Sequence, residues 1–260
     1  MTGSGRLRRI GATIAMALLA SSWLSAYQFS PLEQTFEPSG GGATRTYTIV
    51  NDSDDTIAVR ISALTRDQDA DGGETNSPAT NYFSIRPANV LVGPQASQVV
   101  RVTYRGPRMT PNELAFRIKA EQVEYSKGRK AGGKRMFNFL YNYVTSAYIQ
   151  PQRPTEKLSV SACKPVMVSE TPEEGGEPVE RKMLAVTIRN EGNVHQTLDT
   201  ARLTVTDGDG RSVTLEGAGQ LGPLYGMNIL ARKTVTLHIP FPEGISGEDG
   251  TQLEARLGGR

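Results

Sequence analysis

The chain has 260 residues, with 29 Lys and Arg against 27 Asp and Glu, one Cys, one Trp and two His. That length suits two domains, each able to bury its own core. Arg6, Arg8 and Arg9 lie at the extreme N-terminus; without them 26 cations meet 27 acids, which is not the basic excess of a general nucleic-acid binder. A single Cys excludes an intramolecular disulfide and a Cys-rich zinc site, and two His argue against a multi-His metal centre.

Residues 1–26 read as a signal peptide. Arg6, Arg8 and Arg9 form a positive start, residues 10–19 are apolar, and residues 21–26 bring small side chains to a cleavage site. Cleavage is expected after Ala26, with Ser22 as the alternative. The apolar run falls short of the roughly 20 residues that span a bilayer. The expectation is therefore export, with no stable membrane insertion after cleavage. Cys163 would then be a lone thiol, buried between strands rather than reactive.

Strand signals dominate the remainder of the chain. Residues 46–50 are β-branched and end at a run of Asn, Asp and Ser. In residues 56–64, Ile57, Val59, Ile61 and Ala63 fall on one side. Asp67, Asp69, Asp71 and Gly72 match the first half of an EF-hand loop, but Pro78 stands where the bidentate Glu should be, so a polar hairpin turn is the better reading. Further strands are expected over residues 99–104, 114–123 and 136–149. The loop at residues 127–135 carries five cations and three glycines. It is either a solvated hairpin connection or a device for electrostatic capture of an acidic partner, with Lys134 and Arg135 nearest the strand.

In the strand at 136–149, Phe137, Phe139, Tyr141 and Tyr143 recur at every second position, which puts four rings on one face. Asn138, Leu140, Asn142 and Val144 take the other. The rings are either part of this domain's own core or a row that fills the apolar groove of a guest. Pro151 and Pro154 interrupt the strand pattern and mark a linker at 151–154. A second set of strands is expected over 158–162, 183–189, 202–206, 212–215, 234–239 and 252–257, with a hairpin turn at 207–210. The fold class is all-β: two immunoglobulin-like β-sandwich domains, 27–150 and 155–260, set at an angle around the linker. His195 and His238 read as surface or internally satisfied histidines. No phosphate loop, nucleophile elbow or His/Cys/Asp constellation is visible, so neither an enzyme nor a cofactor is expected.

Several segments, in this order, resemble the periplasmic chaperones of chaperone–usher pilus assembly, in particular their divergent, archaic-type members. They are Tyr82 to Pro87 with Val90, Leu91, Gly93 and Pro94; the strand 99–102 with Arg101; Pro111 and Glu113 before the strand at 114–118; the long strand ending before Pro151; and Asn190, Gly192 and Asn193 in the second domain. The resemblance implies an ATP-independent chaperone that binds a pilus or fimbrial subunit by donor-strand complementation and delivers it to an outer-membrane usher. The implied donor strand is 136–149, with Phe137, Phe139, Tyr141 and Tyr143 as subunit contacts. A second copy of the chain is a candidate occupant of that strand when no client is bound. The sequence departs from the family where two cations hold the client's terminal carboxylate: Glu33 and Ser146 stand at those positions. Of the family's interdomain ion pair, Glu113 is present, its Arg position falls on Gln150, and Arg153 is the candidate substitute. The alternative function is an exported Ig-like structural subunit or an adhesion module.

Overall fold

The structure, a computed structural model, describes residues 27–125, 140–170 and 178–259. The first half of the chain forms β1 (Gln28–Ser30), β2 (Glu33–Phe36), β3 (Thr44–Asn51), β4 (Ile57–Thr65), β5 (Asp67–Gln68), β6 (Glu74–Thr75), β7 (Phe83–Arg86), β8 (Asn89–Val92), β9 (Ala96–Tyr104), β10 (Leu114–Val123) and β11 (Asn142–Ile149). Nine of these strands make two facing sheets, in the orders β1-β3-β9-β7 and β2-β11-β10-β4-β8, and β5 and β6 pair with each other as a separate hairpin. The alternation read from the sequence is what closes the sandwich. Tyr47 and Ile49 of β3, Val100, Val102 and Tyr104 of β9, Ile57, Val59, Ile61 and Ala63 of β4, and Phe116, Ile118 and Ala120 of β10 all point into one core. At its centre Phe83 meets Phe36, Tyr104 and Phe116 edge-on, with ring centroids 5.0–5.7 Å apart.

The second half forms β12 (Leu158–Glu170), β13 (Val179–Asn190), β14 (Gln196–Thr197), β15 (Arg202–Thr206), β16 (Ser212–Glu216), the one-turn α1 (Gly217–Leu221), β17 (Asn228–Ile229), β18 (Thr234–Pro240) and β19 (Glu254–Gly258). The sheets β12-β13-β18 and β16-β15-β19 enclose a second core built on Leu184, Val186, Ile188, Leu203, Val205, Val235 and Ile239. Cys163 is fully buried in it, and loss of solvation pushes its thiol pKa up to about 11. The β15–β16 turn is held by Asp207, whose carboxylate accepts from the backbone N–H groups of Asp209 and Arg211, while Gly210 takes φ 81°.

The two halves use the same device at the end of a central strand. Asn51, ending β3, donates to the carbonyls of Asp55, Val92 and Gly93 and accepts from the N–H of Ser53. Asn190, ending β13, donates to the carbonyls of Val194, Ile229 and Leu230 and accepts from the N–H of Gly192. Each buried amide satisfies a loop backbone that water does not reach. No helix among the described residues is long and apolar enough to cross a membrane.

The strands expected near 158–162 and 183–189 extend to 13 and 12 residues. They continue because each pairs with the other far beyond the core, from Leu158↔Asn190 to Glu170↔Val179.

Candidate functional site: an open strand edge beside an interdomain cleft

The site is built around β11. One edge of β11 pairs with β10 along its whole length, from Asn142↔Glu121 to Ile149↔Leu114. On the other edge, β2 runs parallel but reaches only Ser146 to Ile149, and the last bond on that side is from the Ser146 N–H to the Leu32 carbonyl, 2.8 Å. Among the described residues no strand lies beside Asn142 to Thr145. An uncovered edge of this kind is a template for pairing with another chain.

Side chains alternate along the strand. Tyr141, Tyr143, Thr145, Ala147 and Ile149 turn inward. Tyr143 meets Tyr27 edge-on at 4.8 Å, and the Tyr27 hydroxyl donates to the Ala120 carbonyl, 2.5 Å. Of the two readings of the aromatic row, the structure therefore seats Tyr141 and Tyr143, both half-buried, against the domain's own core. The outward row is Leu140 and Val144, 45 % and 50 % exposed, with Leu32 nearby at 68 %. Phe137, Phe139, Lys134 and Arg135 lie outside the described residues.

Cations do reach this edge, from β10, a strand in which sequence spacing alone suggests no anchor. Glu33 and Ser146 stand side by side in the β2–β11 register. Opposite Ser146 on β10 is Arg117, whose Nη1 donates to Ser146 Oγ at 2.7 Å. Arg117 also pairs with Glu74 of β6 at 2.5 Å, and Arg66 pairs with the same carboxylate at 2.8 Å. Burial alone would raise the Glu74 pKa; the Arg117 hydrogen bond and the charges of Arg117 and Arg66 outweigh it and bring it down to about 2. Two guanidiniums thus face one carboxylate within the cluster. The hydrogen bond from Arg117 to Glu74 in turn holds Arg117 charged.

The network continues into the second domain. Arg66 Nη1 donates to the Tyr148 hydroxyl at 2.7 Å, and Asn228 Nδ2 donates to it at 3.0 Å. The Tyr148 ring stacks on His195 with centroids 3.7 Å apart and planes 11° from parallel. His195 Nδ1 lies 2.7 Å from Glu113 Oε1, which also accepts from the His195 backbone N–H. A carboxylate is acceptor-only, so Nδ1 carries the proton in this pair. The partner of Glu113 is therefore His195 and not Arg153. Arg153 instead offers its carbonyl to Asn193 Nδ2, because the loop carrying Asn193 turns back onto the linker.

Asn193 is the pivot of that loop. Its side chain accepts from the Thr155 N–H and donates to the Pro111 carbonyl, joining linker, first domain and second domain. Gly192 is required beside it: a Cβ there would stand 2.4 Å from the Thr155 carbonyl oxygen. The segment that begins like an EF-hand is the β5–β6 turn. Asp69 accepts from the N–H groups of Asp71 and Gly73, and Asp67 is paired with Lys233. The turn docks on the second domain, with the Ala70 carbonyl accepting from the Thr236 N–H and Gln68 bonding Asn228 and Leu230. Sequence spacing could not reveal Arg66, Glu74, Arg117, Tyr148 or Asn228 as one cluster, because they meet only through strand register and a hairpin that folds across the sheet. The outward position of Arg117 between Phe116 and Ile118 was the one available signal.

No family model matches the sequence, and neither does any curated protein. Solved structures do. The class 5 fimbriae chaperone CfaA superposes with TM-score 0.55 at 15 % identity, covering 89 % of this chain and 98 % of its own. The E. coli chaperone DraB gives TM-score 0.52 at 14 % identity, covering 90 % and 96 %. A chain of the CsuC–CsuE chaperone–tip adhesion subunit complex, from the archaic chaperone–usher Csu pili of Acinetobacter baumannii, gives TM-score 0.51 at 14 % identity, covering 89 % and 98 %. The resemblance read from the sequence and the architecture agree: the chain has the two-domain β-sandwich fold of the chaperone–usher pilus chaperones.

Proposed function

We propose that the protein is a periplasmic, ATP-independent chaperone of pilus or fimbrial subunits, exported by residues 1–26, that lends the edge of β11 to a subunit lacking a strand and hands it to an outer-membrane usher. The observation that carries this reading is the backbone of Asn142 to Thr145, uncovered among the described residues and flanked by exposed Leu140, Val144 and Leu32. Pairing supplies hydrogen bonds worth about 1 kcal/mol each net. Covering the exposed halves of Leu140 and Val144 adds about 1 kcal/mol each from area alone. Those sums are modest against the cost of association, so more of the strand at 136–149, with Phe137 and Phe139, is expected to take part. The chemistry is non-covalent and needs no cofactor.

The carboxylate anchor comes from β10 in this reading. Arg117 lies next to both positions where the resemblance looks for a cation, and with Arg66 it brings two positive charges against Glu74. A client's terminal carboxylate at Ser146 would complete the neutralisation.

The test is co-expression with pilus-type subunits and measurement of soluble complex. Val144→Asp should fold normally, since the side chain is half exposed, yet recover less than a tenth of the wild-type complex. Wild-type recovery by Val144→Asp and Leu140→Asp together would overturn the donor-edge assignment. Recovery of a self-dimer alone, with subunits present and none bound, would favour the structural or adhesive alternative.

A further inference from the structure

The opposite sheet of the first domain carries a second feature, independent of β11. On the outer face of β7 and β9, Arg86 stands directly across from Arg101 in the strand register. Arg105 completes a trio, and with Ser84 and Thr103 these residues line a recess of about 200 Å³. No Asp or Glu lines it. Like charges facing each other across a ladder oppose folding. Five arginines elsewhere in the described residues, Arg66, Arg117, Arg202, Arg211 and Arg256, each meet a carboxylate. Arg86, Arg101 and Arg105 make no ion pair among the described residues. The floor beneath them is hydroxylic, since Ser84 faces Thr103 across the ladder and Thr103 shares a hydrogen bond with Thr44.

Three guanidiniums and two hydroxyls therefore line one small recess that no carboxylate lines. The volume is below the roughly 300 Å³ at which pockets begin to take drug-sized ligands, so it suits a single small group. One carboxylate would offset a single charge. A phosphate group brings about −1.5 to −2 charges and three acceptor oxygens, and it matches the fork of an arginine. We propose that this recess is a phosphate site in which Arg86, Arg101 and Arg105 hold the oxyanion and the Ser84 and Thr103 hydroxyls complete its donors. The phosphate is either free or part of a lipid headgroup.

The test is calorimetric titration of the purified protein with inorganic phosphate, against acetate at matched ionic strength. The site predicts saturable phosphate binding that weakens at least tenfold in Arg101→Gln and in Arg86→Gln. Arg60→Gln removes the same charge from an exposed position on β4, in the other sheet, and should leave binding unchanged. Co-sedimentation with phosphatidylcholine vesicles, with and without phosphatidic acid, separates the sources. Arg101-dependent capture by the acidic vesicles assigns the headgroup, and phosphate binding without capture assigns the free ion. The proposal fails if phosphate binds no better than acetate, if Arg60→Gln loses as much as Arg101→Gln, or if a poly-glutamate peptide binds the same arginines more tightly than phosphate.

Discussion

Glu74 is the residue on which two arginines depend. Its carboxylate has an ordinary pKa of 4.5 and is held down near 2 in the folded protein. A depressed carboxylate contributes stability that is present above the unfolded value and lost as pH falls through the folded one. The Glu74 contribution is therefore complete above pH 4.5 and disappears between pH 4.5 and 2. Thermal unfolding of wild type and Glu74→Gln should show two curves that separate at pH 7 and converge toward pH 2; parallel curves would mean that the pair adds nothing. Arg117→Met tests the other half of the cluster. It should leave the fold intact and weaken client binding by about 10- to 100-fold, the range for losing one charge-assisted hydrogen bond. An unchanged affinity would place the client's carboxylate elsewhere. The resemblance implied an interdomain ion pair of Glu113 with Arg153; the structure gives Glu113 the His195 ring instead. The His195 ring is 82 positions away and reaches Glu113 only because a loop of the second domain folds onto the linker.

Among the elements, β4, β10 and the hairpin at β15–β16 were legible because each alternates strictly and ends at a turn with its own chemistry. The edge strand was legible as a strand but not in its facing. Parity alone says that Tyr141 and Tyr143 share a side; it does not say which side the core takes. Tyr27 decides that, by setting its ring against Tyr143 and its hydroxyl on Ala120. β1 and β2 escaped the sequence reading because they are only 3 and 4 residues long and sit on different sheets, either side of Pro31. Their brevity is what leaves the β11 edge open beyond Ser146. Lengthening the cover should therefore impair the function: a cysteine pair joining residue 144 to a strand-like extension grafted before Leu32 should abolish subunit binding under oxidising conditions and restore it on reduction.

In the whole molecule, a set of polar contacts and one ring stack joins the two domains among the described residues. Asn193, Glu113, His195, Tyr148 and the β5–β6 turn all cross the junction. The Glu113 side chain is almost fully buried, 4 % exposed, so removing the imidazole leaves its carboxylate with the backbone N–H of residue 195 and without its side-chain donor. His195→Ala should cost about 1–3 kcal/mol in urea unfolding. A double variant, His195→Ala with Glu113→Ala, should recover part of that loss, and no recovery would show that the pair is not the source. This junction holds the cation cluster of the first domain against the second, through Arg66 and Tyr148.

In this reading the β11 edge, and not an exposed face in general, receives the client. A photo-crosslinking residue placed at Val144, with a second at Val99 as control, tests it most directly. Val99 is equally exposed, at 53 %, but lies on the opposite sheet. With a pilus subunit co-expressed, residue 144 should crosslink to the strands bordering the subunit's open groove, and residue 99 should not. Equal crosslinking at both positions, or none at 144, would mean that the client does not dock on the β11 edge.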